Sequence, residues 1–326
     1  NLDSWERKNG YSIVEKNEFI CIESYYDTTV RILKYLSGLS HTTNIDRKRE
    51  NEKFLRNCRI DFDDPIKKGA LNSLFVKSNV MLIYGAAGTG KTTLIKYISE
   101  LMKDYRKLYL TKTHTALQNV QRQLDRYDDN CKFLIIDSVT RSNSMIDYDI
   151  VFVDECSTID NRTMKELLDK INDGTMLVLS GDVYQIESID FGNWFYYAKD
   201  VIKTTGANVE LEHTWRTDKE ELKYLWAEVR EKKSIITEKL TIDGPFSENL
   251  GPSIFQLEDE EVVLCLNYDG KFGLNNMNQY FQNANPQSDV YRWEEWTYKI
   301  GDKVKIRVAD ANKLLRKIDF EIDKDD

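Results

Sequence analysis

The sequence has no long apolar run. None of its hydrophobic stretches approaches the ~18 residues of a membrane-spanning helix, and residues 1–20 lack the pattern of a signal peptide. The 326 residues contain five scattered cysteines and three histidines, with no C-x-x-C pair. This usage argues against a disulfide framework and against a zinc site. We therefore expect a cytoplasmic protein in a reducing compartment, without a membrane partner.

The sequence also has fewer basic than acidic residues. Lys and Arg number 46 against 55 Asp and Glu, which gives a net charge of −9 and a pI near 5.2. These values exclude a chain coated in positive potential, although a local basic cleft can coexist with an acidic exterior. Net charge therefore does not decide against nucleic acid. The length and the 41% hydrophobic content allow two domains with their own cores.

A glycine-rich loop stands between a predicted strand and a predicted helix. Residues 80–84 form an apolar run, residues 85–92 read G-A-A-G-T-G-K-T, and a helical pattern follows over residues 93–102. This is G-x-x-x-x-G-K-[ST] in the context it requires. Backbone N–H groups of such a loop wrap phosphates, and the following helix points its positive end at them. The loop predicts a nucleoside triphosphate site made of Gly85, Gly88, Thr89, Gly90, Lys91, Thr92 and Thr93.

A predicted magnesium and water site lies beside this loop. Lys91 is expected to reach the β- and γ-phosphates, and the Thr92 hydroxyl to complete the coordination of Mg²⁺. The apolar run at residues 150–153 delivers Asp154 and Glu155 to the carboxyl edge of a strand, where ligands of such sheets bind. Asp154 is predicted to hold Mg²⁺, and Glu155 to act as general base on the attacking water. A solvated loop is the alternative for the acidic pair, and the upstream P-loop favours the catalytic interpretation.

Two later segments supply further catalytic candidates. Residues 181–185 read G-D-V-Y-Q, and the Gln185 amide can accept from the attacking water and donate to the γ-phosphate. Trp215 and Arg216 follow another predicted strand, and a planar guanidinium aimed at the γ-phosphate is the arginine-finger arrangement. A Trp-Arg pair alone would indicate core and surface. The predicted catalytic set is Lys91, Glu155, Gln185 and Arg216.

The order of the predicted strands and helices indicates the fold class. From residue 61 the pattern alternates strand and helix, which predicts an α/β fold with a parallel sheet and helices on both faces, a RecA-like P-loop core. The predicted strands are 80–84, 107–110, 133–136, 150–153 and 176–179, the predicted helices are 92–101, 116–124 and 162–171, and a further helix is predicted at 26–37.

Taken in order, these motifs resemble those of a superfamily 1 helicase. The resemblance runs from residue 61 to about residue 306 and includes T-K-T-H-T-A at residues 111–116. Q-I-E-S-I at residues 185–189 is similar to the Q-L-P-S-V of RecD-like helicases. The resemblance implies ATP-driven translocation along single-stranded DNA, with RNA as the alternative, through contacts of Thr113 and His114. Capping of the next helix is the alternative role for these two residues.

The resemblance also implies a base contact and a domain plan. Trp215 stands where relatives stack an aromatic ring on adenine. Residues 264–278 look like a strand and an Asn-bearing helix of a second RecA-like domain, and residues 301–306 are similar to the strand that opens an inserted β-barrel. The predicted domains are 1–60, an extension of unknown role; 61–205, a first RecA-like ATPase domain; and 206–326, a partial second RecA-like domain with a small β insertion.

Two departures from the family pattern bear on function. Lys68 stands near the place at which relatives have an adenine-reading glutamine, and an ammonium has donors only, which puts adenine selectivity in question. Residues 217–326 are too few for a complete second domain with an insertion, and they lack its expected motifs. A second function therefore stays open: a nucleotide-dependent switch or regulatory ATPase subunit that controls a partner nuclease or effector without unwinding.

Overall fold

The chain divides into two compact units, Asn1–Ile236 and Thr237–Asp326. The structure, a computed structural model, describes residues 12–16, 18–41, 44–58, 64–124, 130–185, 188–231, 263, 265, 267–287, 289–293, 296–300, 306–312 and 317–322.

Unit 1 alternates strands and helices along most of its length. In chain order its elements are β1 (Ile13–Lys16), β2 (Phe19–Ile22), α1 (Glu23–Leu39), α2 (Ile45–Asn57), α3 (Pro65–Ser73), β3 (Val80–Gly85), α4 (Lys91–Leu101), β4 (Lys107–Thr111), α5 (His114–Leu124), β5 (Cys131–Ile135), α6 (Ile136–Thr140), β6 (Ile150–Val153), α7 (Asn161–Leu168), β7 (Met176–Gly181), α8 (Trp194–Val201), β8 (Asn208–Leu211) and α9 (Glu220–Arg230).

The central sheet has six parallel strands in the order β5-β4-β6-β7-β3-β8. Strands β3, β6 and β7 are apolar over nearly their whole length because parallel strands are covered on both faces. The predicted α/β fold is confirmed, and the boundaries of the predicted strands and helices shift by three residues at most. The predicted helix at 26–37 extends in the structure over Glu23–Leu39.

Helices cover the sheet on both faces. Successive side chains of a strand point to opposite faces, so Leu82 and Ile83 of β3 enter different buried clusters. The cluster of Leu82 is completed by α1, α7 and α8, and that of Ile83 by α3, α4 and α5. Each fully buried aliphatic side chain contributes roughly 1.5–3 kcal/mol to the stability of this arrangement. The two clusters enclose β3 from both faces of the sheet, and the glycine-rich loop follows directly from this strand.

Two parts of unit 1 extend the predicted first domain. Helix α1 lies within the predicted N-terminal extension, and its Ile32 and Leu36 are buried in the core of the sheet. Strand β8 lies beyond the predicted boundary at residue 205 and pairs with β3. The core around the sheet therefore includes residues before residue 61, and the sheet itself includes a strand after residue 205.

Unit 2 contains one helix and two antiparallel hairpins among its described residues. Its elements are α10 (Leu274–Ala284), β9 (Asp289–Trp293), β10 (Trp296–Lys299), β11 (Ile306–Asn312) and β12 (Lys317–Ile322). The helix falls where the Asn-bearing helix was predicted. Residues 301–305, most of the segment compared with a β-barrel strand, lie outside the described residues.

Long apolar helices are absent from the described part of the chain, where no helix has both the length and the hydropathy to cross a membrane.

Gly192 provides a test of the packing beside α7. A Cβ atom built on Gly192 would lie 2.6 Å from the Asn161 nitrogen and 2.7 Å from the Asp160 Cα, both backbone atoms. We expect Gly192→Ala to lower the free energy of unfolding by about 1–3 kcal/mol through overpacking. Gly69 is the control, because it is exposed within α3 with nothing within 4 Å of its built Cβ. Gly69→Ala should raise the free energy of unfolding by roughly 0.5–1 kcal/mol. Equal stability of the two variants in urea unfolding would contradict the close packing of Gly192 against the start of α7.

Candidate nucleotide-binding site

The glycine-rich loop joins β3 to α4 through two left-handed residues. Gly88 has φ of 81° and Gly90 has φ of 89°, a region that side chains with a Cβ atom disfavour. Gly90 is the N-cap of α4, and no side chain caps the helix there. The first backbone N–H groups of α4 and the positive end of its dipole are therefore directed at the loop. This is the backbone arrangement of an anion site.

Lys91 is folded back onto the loop. Its Nζ donates to the Gly85 carbonyl at 2.7 Å and to the Ala86 carbonyl at 3.0 Å. Burial lowers the pKa of Lys91, and the nearby carboxylates of Asp154 and Asp182 oppose that shift. The ammonium therefore lies among acidic groups that follow other strands of the sheet.

The predicted acidic pair follows β6 at the carboxyl edge of the sheet and acts electrostatically on Lys91. Asp154 Oδ1 accepts the Glu155 N–H at 3.0 Å. Burial, followed by the charge of Asp154, raises the pKa of Glu155, while Lys91 acts in the opposite direction. Glu155 has φ of 56°, a left-handed conformation that is strained for a residue with a side chain. Such strain is often found where a side chain must be held in a working position.

Gln185 lies farther round the same edge. Asp182 is buried, its Oδ1 accepts the Tyr184 N–H at 3.0 Å, and its carbonyl accepts the Gln185 N–H at 3.2 Å. Gln185 borders a small space with Ser157 and residues of α8 rather than the cavity that contains Lys91. The structure therefore keeps Gln185 on the acidic side of the site, apart from the glycine-rich loop.

The segment after β8 is attached to the loop. The Trp215 N–H donates to the Gly88 carbonyl at 2.8 Å. A Cβ atom built on Gly88 would lie 2.5 Å from the Arg216 Cβ, so a larger residue at Gly88 would collide with Arg216. Trp215 and Arg216 border a cavity of about 500 Å³. Its lining consists of Lys67, Gly88, Gly90, Lys91, Thr92, Thr93, Gln123, Trp215 and Arg216.

The lysine of α3 in this cavity is Lys67, not Lys68. Lys67 is fully buried, and a Cβ atom built on Gly90 would lie 2.7 Å from its Nζ. Lys68 is exposed and borders a separate surface cavity with Glu52 and Arg56. The place that sequence analysis located near Lys68 is therefore occupied at the cavity by its neighbour Lys67.

Arg230 is a second group that the motifs did not indicate. It ends α9, its guanidinium carbon lies 5.4 Å from the centroid of the Tyr184 ring, and its positive charge contributes to the lowered pKa of Lys91. No motif marks this helix. Its relation to the site arises from tertiary packing.

Thr113 and His114 lie away from the cavity, at the start of α5. Both are exposed, and Thr113 Oγ1 accepts the Ala116 N–H at 3.2 Å. Thr113 therefore caps the helix, the role that sequence analysis set beside contact with nucleic acid. Because both side chains are exposed, they are accessible to a ligand at the carboxyl edge of the sheet.

The glycine-rich loop and its surroundings match a known family. A family model described as an AAA domain matches residues 67–243. The chain belongs to this family. The match starts at the buried lysine of α3 and includes every predicted catalytic and phosphate-binding residue. The family match supports the predicted recognition of a P-loop ATPase.

Curated relatives of this AAA-domain chain are much longer than the chain itself. One is an uncharacterized protein of Methanocaldococcus jannaschii, 34% identical over 146 residues, which cover 37% of this chain and 12% of the relative. Another is the RecBCD enzyme subunit RecD of Buchnera aphidicola, 27% identical over 201 residues, which cover 52% of this chain and 33% of the relative.

Solved structures of two Pif1 helicases also resemble the chain. That from Candida albicans has a TM-score of 0.42 at 15% identity and covers 78% of this chain and 66% of its own. That from Bacteroides, in complex with ADP-AlF3 and ssDNA, has a TM-score of 0.42 at 15% identity and covers 72% and 63% respectively.

The acidic pair of this AAA-domain chain predicts a pH-dependent stability. Because the pKa of Glu155 is raised on folding, the folded state binds its proton more tightly, and the associated stability is present at low pH and lost as pH rises. Glu155→Gln should therefore raise the free energy of unfolding at pH 7 by up to about 1 kcal/mol, a value discounted because the carboxyl is partly exposed. The gain should vanish below the ordinary Glu pKa near 4.5.

Thermal unfolding from pH 3.5 to 8 measures this difference. Glu212→Gln, which removes an exposed carboxylate after β8, is the control for net charge. A Glu155→Gln variant that is less stable than the wild type at pH 7 would contradict the raised pKa of Glu155 beside Asp154.

Proposed function

We propose that the protein hydrolyses a nucleoside triphosphate, ATP by its family resemblance, and uses the energy to move along single-stranded DNA. The observation that carries this proposal is the attachment of Trp215 and Arg216 to Gly88. It brings Arg216 next to a phosphate-binding loop that contains Lys91, and an acidic pair follows β6 of the same sheet. A site that only bound nucleotide would need the loop and the lysine, whereas this set also includes groups suited to cleavage.

The phosphate groups are bound by the loop and by Lys91. The Nζ of Lys91 already contacts two acceptors, the Gly85 and Ala86 carbonyls, and phosphate oxygens offer stronger ones. The N–H groups at the start of α4 bind the same oxygens. Thr89 supports the loop from inside, because it is buried and its hydroxyl donates to the Ala86 carbonyl at 2.9 Å.

Thr92 and Asp154 would hold Mg²⁺ that enters with the triphosphate. Within the described residues, no group of three or more His, Cys, Asp or Glu side chains could hold a metal ion alone. This fits Mg²⁺, which commonly takes one or two protein ligands together with substrate phosphates and water. The bound ion would neutralise charge that develops on the phosphates. Thr92 borders the cavity, and Asp154 acts electrostatically on Lys91, which supports a magnesium ion between these two side chains.

Glu155 is the proposed general base. Its raised pKa brings the carboxylate closer to the operating pH of a base, and the strained backbone fixes its position beside Asp154. Gln185 would orient the attacking water, which requires movement toward Lys91. Arg216 would stabilise charge on the γ-phosphate in the transition state. Trp215 offers a ring face to the base.

The nucleic-acid contact is proposed for the start of α5. The exposed Thr113 and His114 offer a hydroxyl and a ring to a phosphate or base. The resemblance to RecD-like helicases supports DNA as the strand, and the relationship to RecD, a subunit of the RecBCD enzyme, supports a protein partner such as a nuclease. Hydrolysis without any response to nucleic acid would instead favour a switch that controls such a partner.

Stimulation of hydrolysis by nucleic acid tests whether nucleotide hydrolysis is coupled to DNA binding. Turnover should rise severalfold on addition of single-stranded DNA, and the stimulation should fall steeply with salt because phosphate contacts release counterions. Thr113→Asp should retain the cap of α5 yet reduce the stimulation, since its carboxylate repels phosphate. Thr113→Asn retains the cap without charge and is the control. Equal stimulation of the wild type and Thr113→Asp would exclude this edge, and stimulation by RNA alone would change the substrate.

The substitution Arg216→Lys tests the proposed role of Arg216 as an arginine finger. An ammonium cannot reproduce the forked contact of a guanidinium, so we expect kcat to fall on the order of a hundredfold or more, with nucleotide affinity nearly unchanged. Arg162→Lys is the control, because Arg162 is an exposed arginine of α7 that pairs with Glu166. A variant that keeps its rate and loses affinity would show that Arg216 contributes ground-state binding only.

A further inference from the structure

A buried hydroxyl lies in the turn that follows the acidic pair. Ser157 belongs to the 3₁₀ turn Cys156–Thr158, whose N-cap is Glu155. The Ser157 Oγ atom is buried, and it has no hydrogen-bond partner among the residues that the structure describes. A buried hydroxyl of this kind is unfavourable, because it has lost its hydrogen bonds to water without gaining another. A movement that supplied a partner would therefore be stabilised at this position.

Two amide side chains border the same small space as Ser157. One belongs to Gln185, and the other belongs to Asn193, the N-cap of α8, whose side chain makes no capping hydrogen bond. The space has a volume of about 10 Å³, which is the room of about one water molecule. A polar group on one wall can therefore reach the opposite wall directly or through a single water molecule.

The backbone of Gln185 is held in place, whereas its side chain is exposed. The Asp182 carbonyl accepts the Gln185 N–H at 3.2 Å, and Asp182 Oδ1 accepts the Tyr184 N–H at 3.0 Å. The guanidinium carbon of Arg230 lies 5.4 Å from the centroid of the Tyr184 ring. Exposed side chains change rotamer rapidly. Rotation of the Gln185 side chain is therefore sufficient to bring its amide to Ser157.

We propose that Ser157 is a positioning residue for Gln185, whose amide nitrogen donates to the Ser157 hydroxyl, directly or through one water molecule, in the state that hydrolyses the triphosphate. The turn fixes Ser157 relative to Glu155, because the Thr158 N–H and hydroxyl both donate to the Glu155 carbonyl, at 2.9 and 2.8 Å. The Gln185 carbonyl then stays available to accept from the attacking water beside the general base. This inference rests on the proposed function, in which Gln185 orients that water.

Steady-state ATP hydrolysis by the full chain tests the role of Ser157. Ser157→Ala should lower kcat roughly tenfold, the effect of one hydrogen bond, with KM nearly unchanged because the bond forms in the working state. Ser157→Cys should lose most of the same rate, since a thiol fills the space but is a weak hydrogen-bonding group. Ser24→Ala is the control, because it removes a buried hydroxyl of α1 that also has no partner in the described part of the chain.

A double-mutant cycle with Gln185→Ala separates positioning from general damage to the site. If Ser157 acts through Gln185, the double variant should be no slower than Gln185→Ala alone. Losses that multiply would overturn the inference, and so would an unchanged kcat in Ser157→Ala. Ser157→Ala removes a hydroxyl that has no partner, so thermal unfolding without nucleotide should show no loss of stability. A melting temperature that falls together with kcat would assign Ser157 a structural role and overturn the inference.

Nuclear magnetic resonance of the Gln185 side-chain amide provides a readout that does not depend on hydrolysis. The full chain is labelled with ¹⁵N-glutamine, and the resonances are assigned through Gln185→Glu. The Mg²⁺ complex of a non-hydrolysable ATP analogue should slow solvent exchange of the Gln185 amide protons in the wild type but not in Ser157→Ala, because hydrogen-bonded amides exchange slowly. Equal exchange in the two proteins would overturn the inference. Slowed exchange in a wild type that hydrolyses no ATP would count against the proposed function and not against the contact with Ser157.

Discussion

The hydrogen bond from the Trp215 N–H to the Gly88 carbonyl joins two loops that follow neighbouring strands. Strands β3 and β8 pair in parallel, so the loops after them leave the sheet at the same edge. The 2.8 Å bond then fixes the segment that carries Arg216 against the glycine-rich loop. Gly88 permits this contact because it lacks a Cβ atom and adopts a positive φ. The cavity, its cations and the proposed chemistry all depend on this junction.

Charge around the junction is arranged in two parts. Lys67, Lys91 and Arg216 surround the cavity together with the positive end of α4, which favours a polyanion there. Asp154 and Glu155 lie beyond Lys91, where a cation and a water molecule are proposed. The separation allows phosphates to be bound on one side and attacked from the other. A chain with a net charge of −9 thus brings three cationic side chains together at one site.

Sequence reasoning predicted the fold well and the site in part, for identifiable reasons. Strands such as Ile150–Val153 are continuous apolar runs between turn signals, and burial in a parallel sheet leaves few other outcomes. The glycine-rich loop is local, so its spacing indicates its function. Lys67 and Arg230 lie outside any motif, and their positions depend on helix rotation and tertiary packing that chain distance does not determine. The roles of Gln185, Thr113 and His114 depend on bound partners and stay predictions.

Amide hydrogen exchange, with and without the Mg²⁺ complex of a non-hydrolysable nucleoside triphosphate, tests the junction most directly. If the loop after β3 and the segment after β8 form one phosphate pocket, the ligand should slow exchange at residues 86–93 and at residues 213–217 together. Protection confined to residues 86–93, with unchanged exchange at residues 213–217, would contradict the account and leave a nucleotide binder without its arginine.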